Sequence, residues 1–518
     1  MKKSFIVAII SALGLLFLLI STNSINAKAT TVLDLKPLIE QAGSGTLLLK
    51  DKKDVTYVVN EPITNVRCTI QGAPGGSYVK ANFKGYGNQQ TPFLLRYQAG
   101  IHNISIKNVT FDLALIGRGA VRFEQNNNIT IENSGFTGYS KQYGYNKVDS
   151  SISFTNSKNI TIKKNRFFNN GYQYGKASNE LNRSITIQGN GGNNYNVQGN
   201  EFSKVNQAIV IQGNAIFQLS IHDNVFNQVV DNSLYLIKVP VANVYNNDFN
   251  KGQKTSSADE GIVLDGGSFK TTNNRAYNVL NKFIAINGET KSVEVTNNYV
   301  KNEKTKTRPA VIAWRNNTAY TVQQLKFMNN KIDTDTAPAN YDVIPIGKVR
   351  NLTIKGNQFT LQGLSNYQNV FSLMGQTAID SVDISGNTFK PRKGTTISNK
   401  AFFLREKATI IPRINHLTLI DNLFQGKYPA ILNGIKGTIV PSVYQKKTAY
   451  ITGIYIGPVV KAKLLVNGVA KSSGGQFSKG IFKYYVGAKT NYKPTDKIEL
   501  VVYNVNMKQL DRKLVKVK

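Results

Sequence analysis

The chain has almost no cysteine: Cys68 stands alone in 518 residues, so no internal disulfide can form. It sits in the apolar, strand-like run "NVRCTIQGA", which suits a buried structural thiol better than a nucleophile. Histidine is nearly as scarce. His102, His222 and His416 are the only three, and with one cysteine they argue against a zinc centre. There is one tryptophan, Trp314, and proline is sparse at 14. Acids are few as well, 30 against 64 Lys and Arg, for a formal charge of +34. A charge of that sign favours anionic polymers or surfaces as partners; in an exported protein nucleic acid is not expected among them. Beyond the N-terminus no apolar run reaches the roughly 20 residues of a membrane span.

Residues 1–29 read as a signal peptide. "MKK" is the basic region, "SFIVAIISALGLLFLLI" the apolar one, and "STNSINAKA" a small, polar one with cleavage after Ala29 or Ala27. The expectation is a secreted protein, soluble or held at the cell surface by charge.

What the chain has in abundance is repetition. The form apolar, x, apolar, x, x, Asn, x, aromatic recurs as "ITIKKNRF" (160–167), "LSIHDNVF" (219–226), "LTIKGNQF" (352–359) and "VDISGNTF" (382–389). There are 12 copies, 23 to 35 residues apart, with Asn at 165, 200, 224, 247, 274, 298, 330, 357, 387 and 422. The two earliest copies carry Val109 and Ser134 instead. A second short apolar strand precedes most copies, as in "SITIQG" (184–189) and "AIVIQG" (208–213). Two or three strands cannot bury their own apolar face, so stacked periods must share one core. In such a stack the Asn side chains form an inward ladder and the aromatic residues a core stack. His222 points outward on alternation, and Asp223 caps the turn. The sequons at 103–105, 128–130, 159–161 and 351–353 fall at one repeat position, which makes them by-products of the repeat rather than glycosylation signals.

This pattern resembles the right-handed parallel β-helix of the pectate-lyase-like superfamily, over residues 30–437 and about 12 coils. The opening "LDLKPLIEQAGSGTLLL" is similar to the capping helix of that fold, with Leu35, Leu38 and Ile39 on one face and Gly43 and Gly45 ending it. Residues 438–448 read as a linker. Residues 449–518 resemble the bacterial Ig-like modules of secreted Gram-positive proteins, with about seven strands. The fold class is therefore all-β. Residues 441–518 hold 15 Lys and Arg against 3 Asp and Glu, so this module is the expected contact for an anionic cell-wall polymer.

In the superfamily, substrate lies along the strand that follows the variable corner. Here that gives an outward stripe that includes Arg122, Glu124, Thr186, Gln188, Gln212, Tyr235 and Asp265. Long insertions at 137–149 and 169–183 bring Tyr143, Tyr145 and Tyr174, rings suited to stacking on sugar faces. Asp231, Asp259, Glu260 and Asp265, followed by Arg308 and Arg315, cluster in a chain otherwise poor in acids. Of these, Asp259, Glu260, Asp265, Arg308 and Arg315 are the candidate catalytic residues. Two carboxylates can run acid–base hydrolysis, and carboxylates holding a calcium ion beside an Arg base can run elimination of a uronic acid. The Asp-His signature of pectate lyases and the Asp-Asp and Gly-His-Gly motifs of polygalacturonases are absent, so no family's catalytic residues carry over. Two functions stay open: a lyase- or glycosidase-like enzyme on a polysaccharide, and a non-catalytic, adhesin-like scaffold that binds glycan or cell-wall polymer.

Overall fold

A computed structural model describes residues 30–518 except 84–92, 115–118, 139–148, 171–181, 190–193, 214–215, 217, 251–259, 280–281, 303–309, 315–320, 336–343, 363–368, 374–377, 392–401, 407–412, 421–422, 425–436, 457–458, 479–480, 489 and 505–506. The described strands from Thr31 to Phe424 wind as a parallel β-helix. One sheet stacks fifteen parallel strands, from Thr31–Asp34 to Leu423–Phe424; we call it the aromatic face. Twelve of these strands come from the repeat copies, and Thr31–Asp34, Val55–Val59 and Ser77–Ala81 precede them.

The other two faces belong to a 21-stranded sheet and, in the later coils, a separate three-stranded parallel sheet of Ile344–Ile346, Asn369–Leu373 and Phe402–Glu406. The repeat face carries the first strand of each copy, such as Asn127–Glu132, Lys158–Lys163 and Leu219–His222. The site face carries the strands after the variable corner, such as Val121–Glu124, Asp149–Thr155, Asn182–Gln188 and Gln207–Gln212. Leu234–Tyr245, Glu260–Thr272 and Lys282–Thr296 run through both, and irregularities in their pairing at Val239/Val241 and Asp265/Gly267 let them bend.

Alternation decides what is buried. Ile129, Ile131, Ile160 and Ile162 point inward and are sealed from solvent, while Thr130 and Thr161 between them face out. The ladder forms as its spacing implies. Asn200 Nδ2 donates to Asn224 Oδ1 (2.9 Å), Asn224 to Asn247 (3.0 Å) and Asn247 to Asn274 (3.0 Å). The links continue in both directions, from Asn165 to Asn387. Each Nδ2 in this run also reaches a main-chain carbonyl, as Asn224 does at Val197 (2.9 Å). Ser134 continues the ladder with a hydroxyl, accepting from Val109 N (3.3 Å). Asn422 lies outside the described residues.

Phe136, Phe167, Phe202, Phe226 and Phe249 stack at 4.8–5.0 Å. Where Ala276 follows Phe249 in register, Phe283 from the site face turns its edge to Phe249 at 5.7 Å. The residue before each ladder Asn takes the left-handed conformation, as at Lys164 (φ 56°) and Asp223 (φ 55°). Asp223 thus shapes the turn with its backbone, and its carboxylate bonds His222 Nδ1 (2.7 Å) instead of capping a main-chain group. His222 faces outward, stacked on Tyr245 of the next coil at 4.6 Å.

At the N-terminal end the helix Leu35–Ala42 is capped by Asp34, which accepts from Lys36 N (3.0 Å), and ends at Gly43 (φ 57°). Leu35 and Ile39 are buried in the core and Leu38 packs at its margin. Cys68 is buried, and burial pushes its thiol up. No helix among the described residues is long and apolar enough to cross a membrane; residues 1–29 lie outside them.

The C-terminal module begins earlier than its sequence suggests. Thr438–Pro441 pairs antiparallel with Tyr450–Ile456, and Ile439 and Tyr444 are buried in the module's own core. The segment read as a linker therefore carries the first of eight strands that the described residues form here, in two four-stranded antiparallel sheets.

Candidate functional site

Parallel register sorts the outward residues of the site face into two rows. Arg96, Arg122, Ser153, Thr186, Val210 and Tyr235 form one. Glu124, Thr155, Gln188, Gln212, Ile237, Asp265 and Asn287 form the other. The first row opens with an ion-paired group. Glu124 accepts from Arg96 (2.6 Å) and from Arg122 (2.5 Å), and the Arg122 guanidinium lies 5.8 Å from the Phe93 ring centre. Burial raises the Glu124 carboxyl, but the two arginines outweigh it and hold it below the usual range. Arg122 is thus paired within the protein while its side chain stays partly exposed on the site face.

The second row is open. An open groove of about 370 Å³ is lined by Thr155, Asn156, Gln188, Gly189, Gln212, Gly213 and Lys238. Gln188, Gln212 and Lys238 are exposed, and the two glycines leave bare backbone between them. At Gly213 a Cβ would sit 2.2 Å from the Gly189 carbonyl, so the close approach of these coils requires glycine. Sequence reasoning found the two glutamines but missed Asn156, Gly189, Gly213 and Lys238. It stopped at the strand ends, although the shared "IQG" of two adjacent copies already marked the turn.

Among the described acids, Glu260 and Asp265 stand apart on one strand. Glu260 is fully buried and paired with Lys282 Nζ (3.2 Å), so it is a structural ion pair at the corner rather than a solvent-facing acid. Asp231 is also buried; its Oδ2 accepts from Gln207 Nε2 (3.3 Å), and Gln207 Oε1 accepts from Arg183 Nε (3.0 Å). Burial pulls Arg183 down to about 10, partly offset by Tyr235 and Asp231. Asp265 lies five residues from Glu260 on one strand, about 16 Å at strand rise. Carboxylates that share a glycosidic bond stand about 5–10 Å apart. Glu260 and Asp265 therefore cannot act as such a pair.

Asp265 itself is half-buried at the second row. Burial raises its carboxyl, while Lys238 and a hydrogen bond from Tyr235 act the other way. Its Oδ1 lies over Gly288, where a Cβ would come within 2.1 Å. Asp259, Arg308, Arg315, Tyr143, Tyr145 and Tyr174 lie outside the described residues. Among the described residues, no group of three His, Cys, Asp or Glu side chains could hold a metal ion. Trp314 pairs in register with Ile286 of the preceding coil.

The fold defines the class of this protein: a parallel β-helix followed by an Ig-like module. Residues 437–518 match the family model of a bacterial Ig domain. No curated protein matches the chain. Among solved structures, a double mutant of the tailspike protein of E. coli bacteriophage HK620, in complex with a pentasaccharide, is similar at 11% identity and a TM-score of 0.50, over 92% of this chain and 84% of that one. The surface adhesin PfbA of Streptococcus pneumoniae matches at 13% identity and 0.36, over 94% of this chain and 100% of that one. The A-module of the Azotobacter vinelandii mannuronan C-5 epimerase AlgE6 matches at 14% and 0.30, over 77% and 90%. At these identities the likeness is one of fold.

Proposed function

We propose that the protein is a secreted glycan-binding β-helix that holds an anionic polysaccharide along its site face, as a surface or adhesin-like scaffold. The groove at Gln188, Gln212 and Lys238 carries this reading. Successive coils repeat at about 4.8 Å, close to the length of one pyranose unit. A chain running along the helix axis would thus meet one coil per sugar. The amides both donate and accept and so match hydroxyl groups, and Lys238 offers a cation to a carboxylate or sulfate. The tailspike of similar fold was solved with a pentasaccharide, which supports the reading. The basic module would add electrostatic attraction to the same polymer, including one in a cell wall. Its three acids are all engaged internally: Asp496 by Asn467 (3.0 Å), Glu499 by Arg512 (2.6 Å) and Asp511 by Lys513 (3.4 Å).

A second reading, cleavage of the bound chain, draws on Asp265. A carboxyl held toward its neutral form suits general acid work, and Lys238 beside it would stabilise developing negative charge. Its partners would be Asp259, Arg308 or Arg315, with a calcium ion as the cofactor of an elimination.

The test incubates the full mature chain with acidic and neutral glycans and follows binding, ultraviolet absorbance of unsaturated products, and reducing ends. Binding of an acidic glycan without product supports the scaffold. Product that disappears in Asp265→Asn supports cleavage. Absence of binding to every acidic glycan overturns the proposal. The double variant Gln188→Ala/Gln212→Ala should weaken binding about tenfold, the effect of losing two hydrogen bonds.

A further inference from the structure

The repeat face carries a second groove that the site-face reading leaves unused. Its volume is about 410 Å³, and Asn103, Ser105, Asn128, Thr130, Asn159 and Thr161 line it. These are the first and third residues of the sequons at 103–105, 128–130 and 159–161. Register stacks them: Ser105, Thr130 and Thr161 pair coil upon coil, and Asn196 follows Thr161. Asn103, Asn128, Asn159 and Asn194 all take the left-handed conformation, with φ between 50° and 74°. Each coil therefore presents a turned-out amide beside an outward hydroxyl or amide two residues on. Asn128 Nδ2 donates to Asn103 Oδ1 (3.0 Å), and Asn159 Nδ2 donates to Asn127 Oδ1 (2.8 Å). Asn196 Oδ1 is buried without a partner among the described residues.

Among the described residues no charged side chain lines this groove, in a protein of formal charge +34. Beyond the hydroxyl row Glu132 holds both Lys107 (3.8 Å) and Lys163 (3.1 Å), and the one exposed lysine next to a lining residue is Lys158, at the groove's other edge. Amides and hydroxyls without net charge complement hydroxyl groups and give no advantage to an anion. We infer that this groove is a second glycan site, distinct from the site face, and that it takes a neutral chain lying along the helix axis with one sugar per coil.

The test titrates the full chain with neutral hexasaccharides of glucose, mannose or N-acetylglucosamine. At least one should bind, with an affinity that does not change as ionic strength rises. Thr130→Val/Thr161→Val, which keeps shape and strand propensity, should weaken it about tenfold, and Thr130→Arg/Thr161→Arg should abolish it. Unchanged melting temperatures would show that both variants fold. Gln188→Ala/Gln212→Ala should leave neutral binding intact, which separates this site from the site face. Failure of every neutral hexasaccharide to bind, wild-type affinity in both threonine variants, or loss of binding in the glutamine variant would each overturn the inference. Anionic binding, measured on the same variants, reports separately on the site-face proposal.

Discussion

Asn224 shows how much one side chain does in this fold. Its Oδ1 accepts from Asn200 N (2.9 Å) and Asn200 Nδ2 (2.9 Å), while its Nδ2 reaches Asn247 (3.0 Å) and Val197 O (2.9 Å). Alanine there strands several buried polar groups in adjacent coils at once. Asn224→Ala should cost about 3–5 kcal/mol, each stranded group contributing about 1–3, measured by denaturant unfolding. Gly288 is a second sensitive point. Its φ of 51° and the Asp265 Oδ1 above it leave no place for a methyl group. Gly288→Ala should lower stability by more than about 1 kcal/mol and should also displace Asp265. The two site-face carboxylates have opposite pH signatures. The Glu124 carboxyl is held low in the folded state, so its contribution is present above the ordinary carboxylate range and is lost as pH falls through its folded value. The Asp265 carboxyl is held high, so stability is favoured below the ordinary range and lost as pH rises through its folded value. In melting curves against pH, Glu124→Gln should flatten the acid-side loss, and Asp265→Asn should remove the fall on the other side.

Among elements, the aromatic stack and the ladder set the coil and its neighbours, not the whole rod. Phe226 lies between Phe202 at 5.0 Å and Phe249 at 4.8 Å and is fully buried. Phe226→Ala should cost about 3–5 kcal/mol. In a solenoid that loss stays with nearest neighbours, so hydrogen exchange should quicken around residues 200–250 and stay unchanged at Phe359 and Phe389. These elements were legible from sequence because the repeat recurs in twelve copies, with Asn in ten and Phe in nine of them at fixed offsets. The site was legible only in part. Gln188, Gln212 and Asp265 follow from strand alternation. Glu260 does not, because its partner Lys282 is 22 residues away on the next coil and its burial is set by the corner, not by the strand. Thr186 is a related case. It points outward on alternation, yet it is buried, and its hydroxyl is bonded to Ser150 on the neighbouring strand, a partner that no pattern within its own strand reveals. The linker reading failed for a similar reason. Thr438–Pro441 is too short to show alternation, and its partner strand begins nine residues later at Tyr450.

For the whole molecule, charge and modularity make the predictions. The module has its own core of Ile439, Tyr444, Ile451, Phe482 and Leu500, so residues 437–518 should fold when expressed alone, with a cooperative thermal transition. Attraction of the intact chain to an anionic polymer should fall steeply as ionic strength rises and the screening length shortens. The central claim, that a glycan lies along the site face, is tested most directly by hydrogen exchange of the full chain with and without a saturating acidic oligosaccharide. The account predicts protection on the adjacent coils at residues 153–156, 186–189 and 210–213. Protection confined to residues 437–518, or none anywhere on the β-helix with the oligosaccharide bound, would contradict it.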